Sequence, residues 1–323
     1  MNRHDVLIIG GGAAGLSAAL VLARARRSVL VADAGAPRNA PATHLHGYLS
    51  RDGLPPAELL AVGRSEVASY GGEFLDGVVT DVVPDGPRGF WALLADGRRI
   101  AVRQVLVTSG LRDELPDVPG LRERWARDVL HCPYCHGHEV RDGRLGVLGG
   151  SPEAVRYAQI VRQWTDDLVY FTPPGLLTAP ERNQLLARAV GVVEGTVSGL
   201  VVEGDRLRGV QLDDGSVVPR DVLFVPPRFV PNSSLLIGLA CDVDGDGWVQ
   251  VDQAGRTSVP GVRAAGNVVD PRAQLISAAG AGSAAAIAIN ADLVDDDVRT
   301  AVRDLDLGLP LRPTRNTHPK ESA

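Results

Sequence analysis

Nine consecutive residues, His131-Cys132-Pro133-Tyr134-Cys135-His136-Gly137-His138-Glu139, hold two of the chain's three cysteines and three of its seven histidines. Two thiols three positions apart can be joined and reopened, and neighbouring cationic groups lower a thiol's pKa and create the attacking thiolate. A redox-active pair is therefore the first reading. A purely structural disulfide would close a loop too small to stabilise much. A zinc centre has suitable ligand types here, but His136 and His138 lie too close to the cysteines for the spaced closure of a tetrahedral site, so no metal site is expected. Free thiols titrate at about pH 8.5, so thiol chemistry near neutrality needs a base, and histidine suits that task. His136 is the leading candidate and His138 the second, each against the plainer reading of a histidine that only bonds backbone. Cys241 stands alone before an Asp-Gly turn and reads as a small buried residue.

Elements that could position this chemistry lie on both sides of it. Residues 6–9 form a short apolar run, followed by Gly10-Gly11-Gly12, a helical stretch over 13–24 and a second strand over 28–32 that ends at Asp33. Gly10, Gly12 and Gly15 fill the three glycine positions of a dinucleotide fingerprint. They allow the tight turn, the approach of backbone to a pyrophosphate and the close packing of helix on sheet. The helix N-terminus then faces phosphate charge. Asp33, 18 residues past Gly15, can accept from a ribose hydroxyl.

A second unit of the same architecture begins at residues 145–149, with a helix expected over 152–164 and a return strand over 167–171. Its glycines are not repeated. Gly149 fills the first position, but Ser151 replaces the second glycine and Ala154 the third. The return strand ends in Phe171-Thr172-Pro173-Pro174, with neither a carboxylate for a ribose nor an arginine for a 2′-phosphate. Beyond it, residues 206–218 read as a hairpin turning at Asp213-Asp214-Gly215 and 221–225 as a strand. Residues 274–291 read as a buried helix of small residues, and those after Val302 as a frayed or partner-docked tail.

Composition excludes several classes. The chain has 323 residues, a formal charge of −6 and a single lysine, Lys320, so lysine-dependent phosphate loops and Schiff-base catalysis have no residue to use. The acidic balance gives no reason to expect nucleic-acid binding. The N-terminus lacks a signal-peptide pattern and residues 273–291 are too polar for a good membrane span, so a cytoplasmic protein without membrane contact is expected.

Taken together, the first glycine turn, the central Cys-x-x-Cys, the second βαβ unit and the late Ala264-Ala265-Gly266-Asn267 segment resemble the low-molecular-weight thioredoxin reductase family. The resemblance implies an α/β protein of two Rossmann-like three-layer domains. A discontinuous FAD-binding domain would take residues 1–113 and 242–302, an inserted NADPH-domain-like unit bearing the cysteines 114–241, and a tail 303–323. FAD would be held by Gly10, Gly12, Ala13, Ala14, Gly15, Asp33, Ala34, Arg38, Asn39 and His46. Thr108-Ser109-Gly110 stand for the family's Ala-Thr-Gly loop, Gly266-Asn267 for the Gly-Asp at the ribityl chain, and Gln274-Leu275 for the Gln-Ala beside the flavin ring. Asn267 departs from the family's aspartate yet can still bond a hydroxyl. A homodimer is also implied.

The degraded second turn is the larger departure. It looks like the branch that runs backwards, the FAD-dependent dithiol oxidases that close disulfides in natural products such as holomycin, gliotoxin and romidepsin, with O2 reduced to H2O2. In the family Cys135 sits by the flavin and Cys132 faces the substrate, here a small-molecule dithiol whose thiolate would attack Cys132. The rivals are a disulfide reductase fed by NAD(P)H or another donor, and a zinc-stabilised binding module that keeps FAD as structure.

Overall fold

The computed structural model describes residues 3–151 and 153–309. The chain divides into two compact units. The first takes Arg38 and what precedes it, Ala57–Arg112 and the chain from Pro231 onward; the second takes Asn39–Pro56 and Asp113–Val230.

The first unit opens with β1 (His4–Ile9), α1 (Ala13–Arg24), β2 (Val29–Asp33), α2 (Pro56–Ser69), β3 (Glu73–Asp76), β4 (Val79–Pro84), β5 (Phe90–Leu94) and β6 (Arg99–Val107). Its sheet runs β3-β2-β1-β6-β5-β4 and is joined at β6 by a strand returning from the far end of the chain. β3, β2, β1 and β6 are parallel, while β4 and β5 are antiparallel to their neighbours. Leu7 and Ile9 of β1 pack with Leu30, Ala32, Val105 and Val107 on one face. Val6 and Ile8 pack on the other with Val29, Val31, Leu106 and, from α1, Leu16 and Leu22. Continuous apolar runs of this kind are what a parallel sheet covered on both faces requires.

β7 (Leu111–Glu114) then leads into the second unit: β8 (Val129–Leu130), α3 (Pro133–His136), β9 (Leu145–Leu148), α4 (Ala154–Val161), β10 (Leu168–Thr172), α5 (Ala179–Leu186), β11 (Gly191–Glu194), β12 (Val197–Glu203), β13 (Arg206–Leu212), β14 (Val217–Pro219) and β15 (Val222–Phe224). A five-stranded parallel sheet, β11-β10-β9-β15-β8, is packed with α4 on one face and with the antiparallel β12-β13-β14 sheet on the other. β16 (Arg228–Pro231) pairs with β7 and carries the chain back to α6 (Ser234–Gly238), β17 (Val262–Ala264) and α7 (Leu275–Asp306), with β17 the strand that joins β6.

Four boundaries differ from the sequence expectation. The return to the first unit comes at Pro231 rather than 242, because Leu236, Leu239 and Cys241 are buried in that unit's core. Residues 39–56, expected with the FAD domain, group with the second unit. α4 is shorter than 152–164; Pro152 lies outside the described residues, and the helix stops where Arg162 donates to the carbonyls of Thr165 at 2.6 Å and Arg188 at 2.9 Å. α7 runs through Asp306, past both the expected helix end at 291 and the expected tail start at 303. Its later acids read as tail by composition but are helix surface pinned by arginines: Asp292 to Arg263 at 2.6 Å, and Asp297 to Arg27 and Arg103 at 2.7 Å. Residues 310–323 of the expected tail lie outside the described residues. By length and composition α7 could cross a membrane, yet Ala278, Ala279, Gly282, Ala285, Ala286, Ile289 and Leu293 are buried inside the first unit.

Candidate redox and dinucleotide-binding sites

In the first unit the β1–α1 turn has the geometry a dinucleotide requires. Gly10 has φ +111°, and a Cβ there would lie 2.5 Å from the Thr108 carbonyl oxygen. Gly15 is packed so closely that a Cβ would lie 1.9 Å from the Gly10 oxygen. Gly12, the N-cap of α1, has nothing within 4 Å of its Cβ position, which leaves open space where backbone would meet a pyrophosphate. Ala13 and Ala14 form the first turn of α1. Thr108 fixes the neighbouring strand end: its N–H donates to the Ile9 carbonyl at 2.8 Å and its hydroxyl to the Gly10 carbonyl at 2.8 Å.

Asp33 ends β2, half-buried, with its carboxylate 3.6 Å from the Arg64 guanidinium. Ala34 and Arg38 are exposed on the following loop. Ser109 donates its hydroxyl to the Asn232 carbonyl at 2.8 Å, and the Asn232 N–H donates to the Gly110 carbonyl at 3.0 Å. Gly266, at φ +79°, opens the turn before α7. The Asn267 amide nitrogen donates to the carbonyls of Asp270 and Ala273 at 2.9 and 3.0 Å, which leaves its Oδ1 for a cofactor hydroxyl. Gln274 caps α7 and Leu275 begins it. The residues present in this unit therefore fit a dinucleotide, and the Asp33 carboxylate suits a ribose. Asn39 and His46 were expected among them but group with the second unit.

The cysteine pair lies in the second unit. Cys132 caps α3 and is joined to Cys135 as a disulfide, with Cα atoms 5.2 Å apart. Pro133 at the first helical position has no N–H to leave unsatisfied, and the Cys135 and His136 amides both donate to the Cys132 carbonyl at 3.1 Å. The half-buried Tyr157, its phenol pKa pushed up by desolvation, donates its hydroxyl to the His131 carbonyl and ties α4 to the approach to α3. His136 is half-buried and His138 exposed. Burial is the main cause that holds the His136 pKa below its ordinary value, with Glu139 opposing and His46 adding to it. Cys241 is buried in the other unit, as expected, and burial raises its thiol pKa.

His46 faces two carboxylates, Asp52 at 3.3 Å from Nδ1 and Glu139 at 3.6 Å from Nε2. Sequence reasoning missed this pairing, since nothing local in residues 46–52 points to a partner at 139.

The second turn is packed on one side by a tyrosine: a Cβ on Gly149 would lie 2.5 Å from the Tyr170 hydroxyl. Tyr170 is buried in β10, and burial raises its phenol pKa. Glu153 stands at the N-cap of α4, where its charge opposes an incoming phosphate. The lost glycines at Ser151 and Ala154 marked the turn as altered in the sequence, but nothing there pointed to Tyr170.

Comparison with known proteins agrees with this architecture. The family model described as pyridine nucleotide-disulphide oxidoreductase matches residues 4–283. The crystal structure of HlmI is 56% identical, with a TM-score of 0.92 and coverage of 95% of this chain and 97% of that one. Thioredoxin reductase sirT from Leptosphaeria maculans is 28% identical over 91% of this chain and 95% of its own length. The crystal structure of thioredoxin reductase from Streptococcus pyogenes shares the fold, at 24% identity and a TM-score of 0.83 over 91% and 99% of the two chains. The chain is a thioredoxin reductase-like member of the pyridine nucleotide-disulphide oxidoreductase family, an enzyme acting on disulfides.

Proposed function

We propose that the protein is an FAD-dependent dithiol oxidase that closes a disulfide in a small molecule and reduces O2 to H2O2. The observation that carries this reading is the second turn. There the Tyr170 hydroxyl packs against Gly149, Ser151 replaces the second glycine, and the run Phe171-Thr172-Pro173-Pro174 brings no arginine. Electrons would then enter through thiols rather than as hydride from NAD(P)H.

In the proposed cycle, a substrate thiolate attacks the Cys132 sulfur, the Cys132–Cys135 bond breaks and Cys135 leaves as thiolate. The second substrate thiol gives its proton to His136, or to His138, and its thiolate attacks the substrate sulfur of the mixed disulfide. Cys132 is released, and the product leaves as a disulfide with the enzyme holding two more electrons as a dithiol. FAD would supply, when bound, the redox centre through which that electron pair passes to O2. Gly12, Asp33, Thr108 and Asn267 are the groups that would hold it in the first unit. The resemblance that suggests this chemistry also suggests a homodimer.

The reductase reading is favoured by the relatives' own naming as thioredoxin reductases. One experiment separates the two. A small dithiol is added anaerobically to the purified flavoprotein while flavin absorbance is followed, NADPH is tested in parallel, and air is then admitted with a peroxide assay. The oxidase reading expects bleaching by dithiol, none by NADPH, and peroxide equimolar with the disulfide formed. Prompt bleaching by NADPH overturns it in favour of the reductase.

A further inference from the structure

Gly11, the middle residue of the Gly10-Gly11-Gly12 turn, has no part in the fingerprint, yet it too is closely packed. A Cβ there would lie 2.7 Å from Asp33 Oδ2, so the carboxylate lies against bare backbone. The same oxygen faces Arg64 of α2 at 3.6 Å, an ion pair too long to be a hydrogen bond. The other terminal nitrogen of that guanidinium donates to Asp76 at 3.1 Å. Asp76 ends β3 and is the register partner of Asp33. Two like charges on neighbouring strand ends repel, and arginine, always charged and forked, can serve both at once. The Arg64 guanidinium lies over the Phe74 ring, 4.4 Å from its centre. Beside it α2 is seated on α1, where a Cβ on Gly63 would lie 3.0 Å from Leu16 Cδ1. Gly11 and Arg64 both meet Asp33 Oδ2, which leaves Oδ1 for a ribose hydroxyl.

We propose that Arg64 is a positioning residue for the adenosine end of FAD. It offsets the Asp76 charge and draws Asp33 Oδ2 to itself, so that the carboxylate stays against Gly11 with Oδ1 able to accept from the ribose. The inference rests on the reading of this turn as an FAD site with Asp33 as its ribose acceptor. Without Arg64, Asp76 repels Asp33 unopposed and the carboxylate leaves the turn. Without both Arg64 and the Asp76 charge, that repulsion is gone and Asp33 returns.

The test measures FAD affinity by equilibrium dialysis of the intact protein against stepped FAD concentrations, with bound flavin read by absorbance. Arg64→Met keeps the stem over Phe74 and removes the charge; it should weaken FAD binding about three- to fivefold, the scale of a partly exposed ion pair. Adding Asp76→Asn to Arg64→Met should recover most of that loss. In an Asp33→Asn background, Arg64→Met should weaken binding no further; if Asp33→Asn holds too little FAD to compare, the Asp76 arm decides alone. A purely structural role for Arg64 predicts a loss that Asp76→Asn does not relieve and that persists alongside Asp33→Asn. That result overturns the inference, as does unchanged or tighter binding in Arg64→Met. A wild-type protein that takes up no FAD, or an Asp33→Asn variant that holds it as tightly as wild type, overturns the reading of the site instead.

Discussion

Gly137 has ordinary right-handed helical backbone, φ −63° and ψ −33°, so its lack of a side chain is not about a turn. It is about approach: a Cβ there would lie 2.5 Å from the Pro133 carbonyl oxygen and 2.6 Å from Cδ2 of the Trp164 indole. Trp164 also meets Tyr134 edge to face, with ring centroids 5.8 Å apart, so one indole supports the redox helix at two points. Gly137→Ala is therefore expected to lower stability by about 1–3 kcal/mol, the usual cost of overpacking a tight contact, as read by chemical denaturation. An unchanged midpoint would mean that the indole moves aside without cost. Residue types were legible here where chemistry is local. Cys132, Cys135 and His136 stand out because thiols and a base cluster in one short run. The contacts around them were not legible, because Trp164 reaches Tyr134 and Gly137, and His46 reaches Glu139, only through packing between distant segments.

At the scale of elements, α1 and α7 approach most closely at Gly282, where no side chain separates their backbones. A Cβ on Gly282 would lie 2.0 Å from the Ala14 carbonyl oxygen, and one on Gly266 would lie 3.0 Å from the Ala14 Cβ. Ala14 is in the first turn of α1, the turn whose N–H groups would face the cofactor phosphates. Gly282→Val would push α7 off that turn and tilt the helix N-terminus away from Gly12. The expected outcome is FAD retention weakened roughly tenfold or more, since about 1.4 kcal/mol is a factor of ten, measured by titrating FAD into the deflavinated protein. Dithiol opening of the Cys132–Cys135 bond should persist, because the affected helices belong to the other unit. The apolar spacing of α7 was readable as far as residue 291. Its last turns were not, because their helical state depends on Arg27, Arg103 and Arg263 meeting Asp292 and Asp297 from elsewhere in the fold.

For the whole molecule, the informative feature is that the first unit closes across its own interruption. The Asn232 N–H donates to the Gly110 carbonyl, the Asn232 side-chain amide donates to the Ser109 carbonyl at 2.9 Å, and the Ser109 hydroxyl donates to the Asn232 carbonyl. β7 and β16 pair where the chain leaves and returns, so the two ends of the inserted segment lie one strand spacing apart. The family resemblance implied the discontinuity, whereas the point of return was hidden because α6 carries no motif and belongs by burial alone. A chain in which Arg112 is joined to Pro231 through a short glycine linker should therefore fold, since the first unit keeps both of its core clusters without Asp113–Val230. Such a protein is expected to bind FAD, seen as flavin absorbance that travels with the protein through gel filtration, and to show no bleaching with dithiothreitol. Folded protein without bound FAD would mean that the dinucleotide site needs the inserted unit. Bleaching by dithiothreitol would mean that the electrons do not pass through the cysteine pair, because both cysteines would be gone.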